Sequence, residues 1–536
     1  MNGITDSGKY YQSLTAEEDQ CGTFEREITA TSTSADEKPC ISASTDDVHA
    51  LTLAALRGFS LDPDPVDSSS MESYDAEALR RSRLRRSRIV FLCAGHISKK
   101  FIFVQARKYG MECIVIDDHN SWARELVTEN LASRFVGVDM SSAHDIVLDQ
   151  AVAGLKALAV PIHGVCTFVE LSVSLAARLA RLLKCPGPDP ASVAAARDKF
   201  QTRSVMQAAG IPHVRNMLIR SELDLPVAAA AVGFPAVLKP VSGAASLGVQ
   251  KVESASQLEA TYRSVVLALS ELVVSAGALE RRTTTVEPEG FCESDSGVNA
   301  NKFIDTTVLM EEYLDGAEVD VDVLMSGGIC RYVNVIDNGP TREPFFGETW
   351  ACLPSLLPET QVSELKSMAV AAVTALGFSD GVYHVELKYT SHGPRLIEVN
   401  ARMGGGPTRM IHKIVSGVDL VREQFFISAG IPSCPIVSQT PLRRVAYAFI
   451  NCRATGAVSD ISFMDKYSQI PGVVWVLPYV KPFERFIGPE DGHPSWLGDV
   501  VVALDDGEAA LRLVKEIEER IAEEFVARRI TQGRLH

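Results

Sequence analysis

The first folded stretch of the chain shows short apolar runs that alternate with a helical pattern. Ile89–Leu92 is typical of a buried strand, Ser98–Tyr109 has helical spacing, and Cys113–Asp117 is apolar again. His163–Phe168 repeats the strand pattern ahead of a helix rich in alanine and leucine. Because strand, helix and strand follow one another, we expect a parallel sheet with right-handed crossovers. The pattern predicts an α/β domain over residues 88–190.

A helix and a loop of very small residues are predicted next. The helix begins after Ser192 as its N-cap, contains Lys199 and ends at Gly210. The strand that follows carries Lys239, and the small-residue loop Val241–Val249 comes directly after it. Since no bulky side chain blocks the approach, the backbone N–H groups of such a loop can lie against phosphate oxygens. By itself such a loop is typical of an ordinary turn. The lysine directly before it is what favours a phosphate-binding role.

The middle of the chain predicts an insertion and a pair of strands. Residues 280–303 are polar and aperiodic, which predicts a mobile surface insertion. Val308–Leu324 predicts two strands with a bend near Asp315. The second of them alternates strictly, and its polar face carries Asp320 and Asp322. A solvated sheet edge is the safer interpretation of these two carboxylates.

A predicted hairpin carries the most distinctive polar pattern of the chain. Glu398, Asn400 and Arg402 occupy alternate positions of one strand ahead of three glycines, so their side chains share a face. A turn over Tyr389–Pro394 would bring Glu386 beside Glu398. Two carboxylates and an amide carbonyl suit Mg²⁺, which leaves further positions to water and nucleotide phosphates. A solvated hairpin face explains a single Glu-x-Asn about as well, but the arginine, the glycines and the second glutamate favour a metal site.

The C-terminal part predicts strands over Arg443–Ile450 and Gly472–Leu477 and an amphipathic helix over Asp506–Arg529.

The length and composition of the chain are those of a globular protein with several domains. A length of 536 residues predicts roughly three or four domains, and 46% apolar with 22% charged residues is typical of a globular protein. The net charge of −16 disfavours nucleic acid as the main partner.

Targeting signals are not evident in the chain. No apolar run reaches the roughly 18 residues of a membrane helix, and the N-terminus lacks a secretory pattern. The eleven cysteines include no CxxC pair, so neither a zinc site nor a disulfide framework is indicated. We therefore expect a protein of a reducing compartment, the cytoplasm.

The N-terminal extension has a different composition. Residues 1–87 are rich in Ser, Thr, Asp and Glu and show no sustained period, which predicts a mostly disordered segment. It ends in the arginine run Arg80–Arg88. A phosphosite cluster, a nuclear or anionic-surface signal and a solvated linker all fit such a run, and the linker is the favoured interpretation.

In this order, the motifs resemble the ATP-grasp superfamily of carboxylate–amine ligases. They are Lys199 on a helix, Lys239 before a small-residue loop, Glu-Glu-Tyr-Leu-x-Gly-x-Glu at 311–318, Glu386, and Glu-x-Asn-x-Arg at 398–402. Within the superfamily, the stretch 380–425 is most similar to carnosine synthases and L-amino acid ligases.

The resemblance implies an α/β (α+β) protein with the ATP-grasp fold. It divides the chain into the extension 1–87, an N-terminal parallel-sheet domain 88–190, a small lobe 191–303, a large lobe 304–430 with the metal site, and a C-terminal α+β unit 431–536. The two lobes would hold the nucleotide between them.

The resemblance also implies roles for individual residues. Nucleotide binding falls to Lys199, Lys239, Ser242, Gly243, Ser246, Gly248, Glu311, Glu312, Leu314 and Glu318. The lysines would hold phosphates, Glu311, Glu312 and Leu314 would line the adenine pocket, and Glu318 would hold the ribose. Metal binding falls to Glu386, Glu398 and Asn400, while Arg402 would meet the transferred phosphoryl group or the substrate carboxylate.

The implied activity is an ATP-dependent ligation of two amino acids through an acyl phosphate, with ATP and Mg²⁺, or Mn²⁺, as cofactors. Amino acids would be the small-molecule partners, without nucleic acid or membrane, and a homodimer is the commonest default. A ligase for another carboxylate and a catalytically silent nucleotide-binding regulator are the alternatives. His384, Arg409 and His412 lie near the metal motif, and structural or surface roles are favoured for them.

Overall fold

The computed structural model describes residues 76–242, 248–270, 272–275, 278–281, 307–343, 345–492 and 494–530. Residues 1–75, the loop residues Gly243 and Ser246 and most of the predicted insertion lie outside the described residues. In the described part of the chain, no helix is both long and apolar enough to cross a membrane.

The N-terminal unit is built on a parallel sheet. Its strands are β1 (Arg88–Leu92), β2 (Glu112–Asp118), β3 (Arg134–Val138) and β4 (Gly164–Cys166), arranged in the order β3–β2–β1–β4 with parallel pairing throughout. The helices between and after them are α2 (Lys100–Lys108), α3 (Glu125–Thr128), α4 (His144–Leu158) and α5 (Val173–Leu183). The strands are apolar because helices cover both faces of such a sheet. The parallel sheet predicted from the sequence is confirmed.

The arginine run is not a solvated linker. Ala76–Leu84 forms helix α1, and Arg88 already belongs to β1. Arg80 is only 2% exposed, and its guanidinium pairs with Glu77 at 2.5 Å. Glu77 in turn pairs with Arg422 at 3.1 Å, so the helix is fixed to the folded unit. The linker interpretation is wrong because a glutamate three residues earlier neutralises a buried arginine, a pairing that a count of charges does not reveal.

A break divides the helix predicted after Ser192. Helix α6 spans Pro190–Arg197 with Asp189 as its N-cap, and helix α7 spans Lys199–Ala208 with Asp198 as its N-cap. Asp198 is extended, and its side chain accepts a hydrogen bond from the backbone N–H of Gln201 at 2.9 Å. The prediction of one helix capped by Ser192 is therefore wrong. As a result, Lys199 occupies the first turn of a new helix.

The small lobe contains an antiparallel sheet in the order β5–β10–β6–β7. Its strands are β5 (Asn216–Ile219), β6 (Ala236–Pro240), β7 (Gln250–Val252) and β10 (Val308–Glu312). Helices α8 (Leu225–Val232) and α9 (Ala255–Ser270) pack on it, and β8 (Leu272–Ser275) pairs with β9 (Ala278–Arg281).

One long sheet unites the large lobe with the C-terminal region, in the order β15–β14–β11–β12–β13–β16–β18–β17. Its strands are β11 (Ala317–Ser326), β12 (Ile329–Asn338), β13 (Trp350–Leu353), β14 (Gly381–Thr390), β15 (Gly393–Asn400), β16 (Arg444–Asn451), β17 (Val473–Pro478) and β18 (Trp496–Leu504). The helices are α10 (Glu359–Ala375), α11 (Thr408–Ser416), α12 (Leu420–Ser428) and α13 (Gly507–Arg528). The C-terminal strands and helix agree with the sequence pattern.

The carboxylate of Asp322 is buried in this sheet instead of lying at a solvated edge. Strand β11 pairs with β12 on one side and with β14 on the other. Asp322 is fully buried, and its two oxygens contact Nδ1 of His384 at 3.0 Å and Nε2 of His412 at 2.6 Å. The edge interpretation is wrong, because strict alternation is also produced by an interior strand whose polar side chains are paired. Structural roles for both histidines agree with the sequence expectation.

Replacing Asp322 with asparagine is expected to lower the free energy of unfolding by about 3–5 kcal/mol, since it removes one partner of a buried charged group. Urea unfolding monitored by circular dichroism measures the change. The matched control is Asp145→Asn, which breaks an exposed pair with Arg178 and should change stability by less than about 1 kcal/mol. Equal effects of the two substitutions would contradict the structural role of Asp322.

Candidate active site

The predicted hairpin forms, and it brings the two glutamates together. In the register of β14 and β15, Glu386 lies opposite Glu398 and His384 lies opposite Asn400. The amide Nδ2 of Asn400 donates to Oε1 of Glu386 at 3.1 Å. Strand β15 ends at Asn400, so Arg402 is not a strand residue as predicted. It still reaches the same group, since its Nη2 donates to Oδ1 of Asn400 at 3.4 Å.

The two facing carboxylates have opposite electrostatic environments. Burial, followed by repulsion from Glu398, raises the pKa of Glu386 to about 8. Burial also acts to raise the pKa of Glu398, but the charges of Lys199, Lys239 and Arg402 outweigh it and hold that pKa below its usual range. Crowded carboxylates of this kind gain stability from a cation between them.

The donor set fits magnesium more closely than a cage of protein ligands. Within the described residues, no three His, Cys, Asp or Glu side chains come together as a preformed metal centre. Mg²⁺ is usually held by one or two carboxylates together with water and substrate phosphates. The pair Glu386 and Glu398, with the amide oxygen of Asn400 beside it, is such a partial set. These residues fit the ion, and their role as its ligands stays a prediction.

Both predicted lysines lie in the same buried region. Lys199 Nζ contacts Glu398 Oε2 at 2.9 Å, and Lys239 Nζ contacts Glu311 Oε2. Burial lowers the pKa of Lys239, while the Glu311 carboxylate opposes this shift. The Glu311 side chain is 6% exposed, and its carboxylate also binds Arg203, so both of its oxygens face cations. Sequence reasoning missed Arg203, although it follows Lys199 by four residues on one helix face.

The Glu-Glu-Tyr-Leu segment ends strand β10 and leads into a tight bend. Glu312 pairs with Arg215 at 2.8 Å, and Glu318 lies 3.5 Å from Lys388. Leu314 is half-buried. Gly316 has a φ of +83°, and a Cβ there would lie 2.0 Å from the carbonyl oxygen of Tyr389. The bend therefore requires glycine, which explains the Leu-x-Gly spacing between the two parts of the motif.

The first residues of the small-residue loop lie beside Lys199. The backbone N–H of Lys199 donates to the carbonyl of Val241 at 3.1 Å, and the Ser242 hydroxyl donates to the carbonyl of Arg197 at 3.2 Å. Gly248 closes the loop with a positive φ of +76°. The loop therefore starts against the helix break that positions the lysine.

The N-terminal unit contributes to the same region through residues that sequence reasoning did not single out as site residues. Glu170 Oε2 contacts Nε of Arg402 at 2.9 Å, and Glu170 Oε1 lies 3.6 Å from Arg197. Arg402 also donates through Nη1 to the carbonyl of Met403 at 2.9 Å. Burial and the charge of Arg402 lower the pKa of nearby Lys99 to about 8. The orientation of the Arg402 guanidinium is thus fixed from several sides.

Glu348 is a further carboxylate near these groups, and no motif marks it. Its side chain is exposed, although protein crowds around it. This crowding, together with the charge of Asp320, raises the pKa of Glu348 to about 7. Asp320, Glu318 and Arg402 contribute to the field at Glu348. Arg402 and Glu348 are thus close enough for the charge of one to act on the other.

Comparison with known proteins identifies the fold. An ATP-grasp domain is matched over residues 292–410. Carnosine synthase 1 of Homo sapiens is 31% identical over 372 residues, 67% of this chain and 42% of that protein. A D-alanine–D-alanine ligase of Corynebacterium jeikeium is 28% identical over 234 residues, 41% of this chain and 53% of that protein. The chain therefore spans about half the length, or less, of these two relatives.

A solved structure agrees with these matches. The crystal structure of an L-amino acid ligase from Bacillus licheniformis superposes with a TM-score of 0.66 at 21% identity, covering 81% of this chain and 98% of that one. This likeness confirms the predicted fold. The chain contains an ATP-grasp domain, has the ATP-grasp fold and is similar to carnosine synthases and L-amino acid ligases.

Proposed function

We propose that the chain is an ATP-dependent ligase that joins the carboxylate of one amino acid to the amine of another. The observation that supports it best is the Glu386 and Glu398 pair across the hairpin, with Arg402 beside it and Glu348 within electrostatic reach of Arg402. An amino acid carries a carboxylate and an ammonium group. Arg402 would meet the first and Glu348 the second, which distinguishes an amino acid from a simple carboxylic acid.

Chain residues would align the reactants and neutralise charge. One carboxylate oxygen of the first substrate attacks the γ-phosphorus of ATP, and ADP leaves. The amine of the second substrate, having lost a proton, then attacks the acyl carbon, and phosphate leaves with its electron pair. Lys199 and Lys239 would hold phosphate oxygens, and Arg402 would balance the charge of the transferred group. Magnesium bound by Glu386, Glu398 and Asn400 would supply further neutralisation of phosphate charge.

A screen of amino acid pairs with ATP and Mg²⁺ tests the proposal. Phosphate release and product mass are read together, and we expect release that depends on a pair and a product lighter by one water than the sum of that pair. Release with a carboxylic acid that carries no amino group would instead support a ligase of another acid. Binding of ATP without release under any pair would support a regulator.

Glu348→Gln is expected to raise the KM of one amino acid about tenfold while leaving the KM of ATP unchanged, because it removes a charged partner of the ammonium group. In the wild type, kcat/KM for that amino acid should fall as the pH drops below about 7, where Glu348 becomes protonated. The variant should lack this part of the pH profile. Steady-state kinetics measure both effects.

Glu359→Gln, which changes an exposed glutamate at the start of α10, is the control and should behave as the wild type. An unchanged KM for every amino acid in the Glu348 variant would remove this residue from substrate recognition.

A further inference from the structure

Arg203 links the two charged halves of the site. It lies one helical turn after Lys199 on α7, so both side chains leave the same face. Arg203 is 2% exposed. Its Nε donates to Glu311 Oε1 at 2.8 Å, its Nη2 donates to Glu311 Oε2 at 3.2 Å, and the same Nη2 donates to the carbonyl of Ile397 at 2.7 Å. One guanidinium thus connects the small lobe to the strand that carries Glu398.

The carboxylate of Glu311 is shared between two cations. Arg203 binds both oxygens of Glu311 in a fork, and Lys239 contacts the Oε2 atom. All three side chains are buried. A forked arginine is the stronger of the two partners, because it satisfies both carboxylate oxygens with fixed geometry. Lys239 is therefore held close to Glu311 without being its main counter-ion.

The local charge balance favours an anion. Lys199 is paired with Glu398, while Lys239 and Arg203 share Glu311. Three cations therefore face two carboxylates. The charges of Arg203 and Lys199 also lower the pKa of Lys239, after burial as the larger cause. The remaining Nη1 of Arg203 is buried and makes no hydrogen bond in the described part of the chain, a cost that packing alone does not explain.

We propose that Arg203 is a positioning residue of the nucleotide site, which neutralises Glu311 so that Lys239 stays available to a phosphate group of ATP. The hydrogen bond from Arg203 to the carbonyl of Ile397 keeps Lys239 aligned with β15, the strand of the predicted metal site. The inference rests on the proposed function, because it takes Lys239 to bind a nucleotide phosphate. Without Arg203, the full charge of Glu311 would fall on Lys239 and compete with the phosphate.

Binding of a non-hydrolysable ATP analogue with Mg²⁺, measured by calorimetry, tests the proposal. Arg203→Met should raise the dissociation constant about tenfold, and Arg203→Lys should cause a smaller rise because it loses the fork. The double variant Arg203→Met with Glu311→Gln should return to within about threefold of the wild type, because Lys239 then has no competing carboxylate. A merely structural arginine predicts no such recovery.

Arg263→Met is the matched control. Arg263 makes the same forked pair with Glu222 on the small lobe, at 2.7 and 3.1 Å, but the pair is exposed. This variant should bind the analogue like the wild type. Circular dichroism of each variant confirms that it is folded before binding is compared.

Two results would overturn the inference: Arg203→Met binding as tightly as the wild type, or the double variant binding no more tightly than Arg203→Met. A double variant that binds more weakly still than Arg203→Met would place Glu311 in direct contact with the nucleotide, as the sequence expectation had it. Wild-type protein that binds the analogue but joins no amino acid pair would defeat the proposed function and leave the role of Arg203 standing.

Discussion

Replacing Glu398 with glutamine is expected to reduce ADP formation by about 10³-fold or more. Glutamine keeps the volume but removes the charge that pairs with Lys199 at 2.9 Å and that faces Glu386 across the hairpin. If Glu398 is a metal ligand, its loss removes several kcal/mol of charge stabilisation, and about 4 kcal/mol corresponds to that factor. A coupled assay of ADP release measures the loss.

Glu364→Gln is the matched control for this substitution. Glu364 is an exposed glutamate of the same lobe, and its carboxylate accepts a hydrogen bond from the Tyr389 hydroxyl. The control should retain wild-type turnover. Activity of Glu398→Gln within about tenfold of the control would show that the metal assignment is wrong, since loss of a carboxylate that held the metal ion would reduce activity far more.

Replacing Arg402 with lysine is expected to reduce kcat by about 10²–10³-fold while ATP still binds with nearly unchanged affinity. The guanidinium is held by Glu170 at 2.9 Å, by the carbonyl of Met403 at 2.9 Å and by Asn400 at 3.4 Å. A lysine offers one point charge in place of this planar fork, so it cannot keep the orientation. Glu170→Gln should give a smaller loss of kcat, because it removes one of the three restraints.

Arg395→Lys is the control, since Arg395 lies on strand β15, donates to the neighbouring carbonyl of Pro394 and reaches no group of the site that we describe. It should leave kcat unchanged. An equal loss in ATP affinity and in kcat for Arg402→Lys would contradict the assignment. It would indicate that Arg402 holds the nucleotide instead of the group that is transferred.

The sequence predicted those parts of the site whose signal is local. A strand repeats every two residues, so the alternation of Glu398 and Asn400, and the turn before them, specify a hairpin without reference to the rest of the chain. Lys239 and the loop after it are likewise neighbours in sequence. The parallel order of the N-terminal sheet followed from alternating strands and helices.

Other residues reach the site through tertiary structure alone. Glu170 lies at the start of a helix and Glu348 in an irregular stretch, and no local pattern marks either glutamate. Only the packing of distant elements brings them near Arg402. Arg203 did leave a signal, because it follows Lys199 by one helical turn. That signal is weak, since pairs of cations at this spacing are common on exposed helices.

Buried charge explains the two clearest errors. Asp322 and Arg80 both resemble solvated residues in sequence, but both are neutralised inside the protein. The partner of Asp322 is His412, far away in sequence, and the partner of Arg80 is Glu77, one helical turn earlier. A pattern of polar and apolar positions records that a side chain is charged, but not whether a partner compensates it. The helix break at Asp198 was missed for a related reason, since an aspartate between two helical stretches fits an interior polar position as well as an N-cap.

Transfer of oxygen from the substrate carboxylate to phosphate tests the central claim most directly. An amino acid pair that supports turnover is supplied with ¹⁸O in the carboxylate of one partner at a time, and the released phosphate is analysed by mass spectrometry. The account predicts one ¹⁸O atom in phosphate when the activated amino acid carries the label, because the acyl phosphate loses that oxygen with phosphate. Phosphate free of ¹⁸O with either labelled partner would contradict the ligase mechanism.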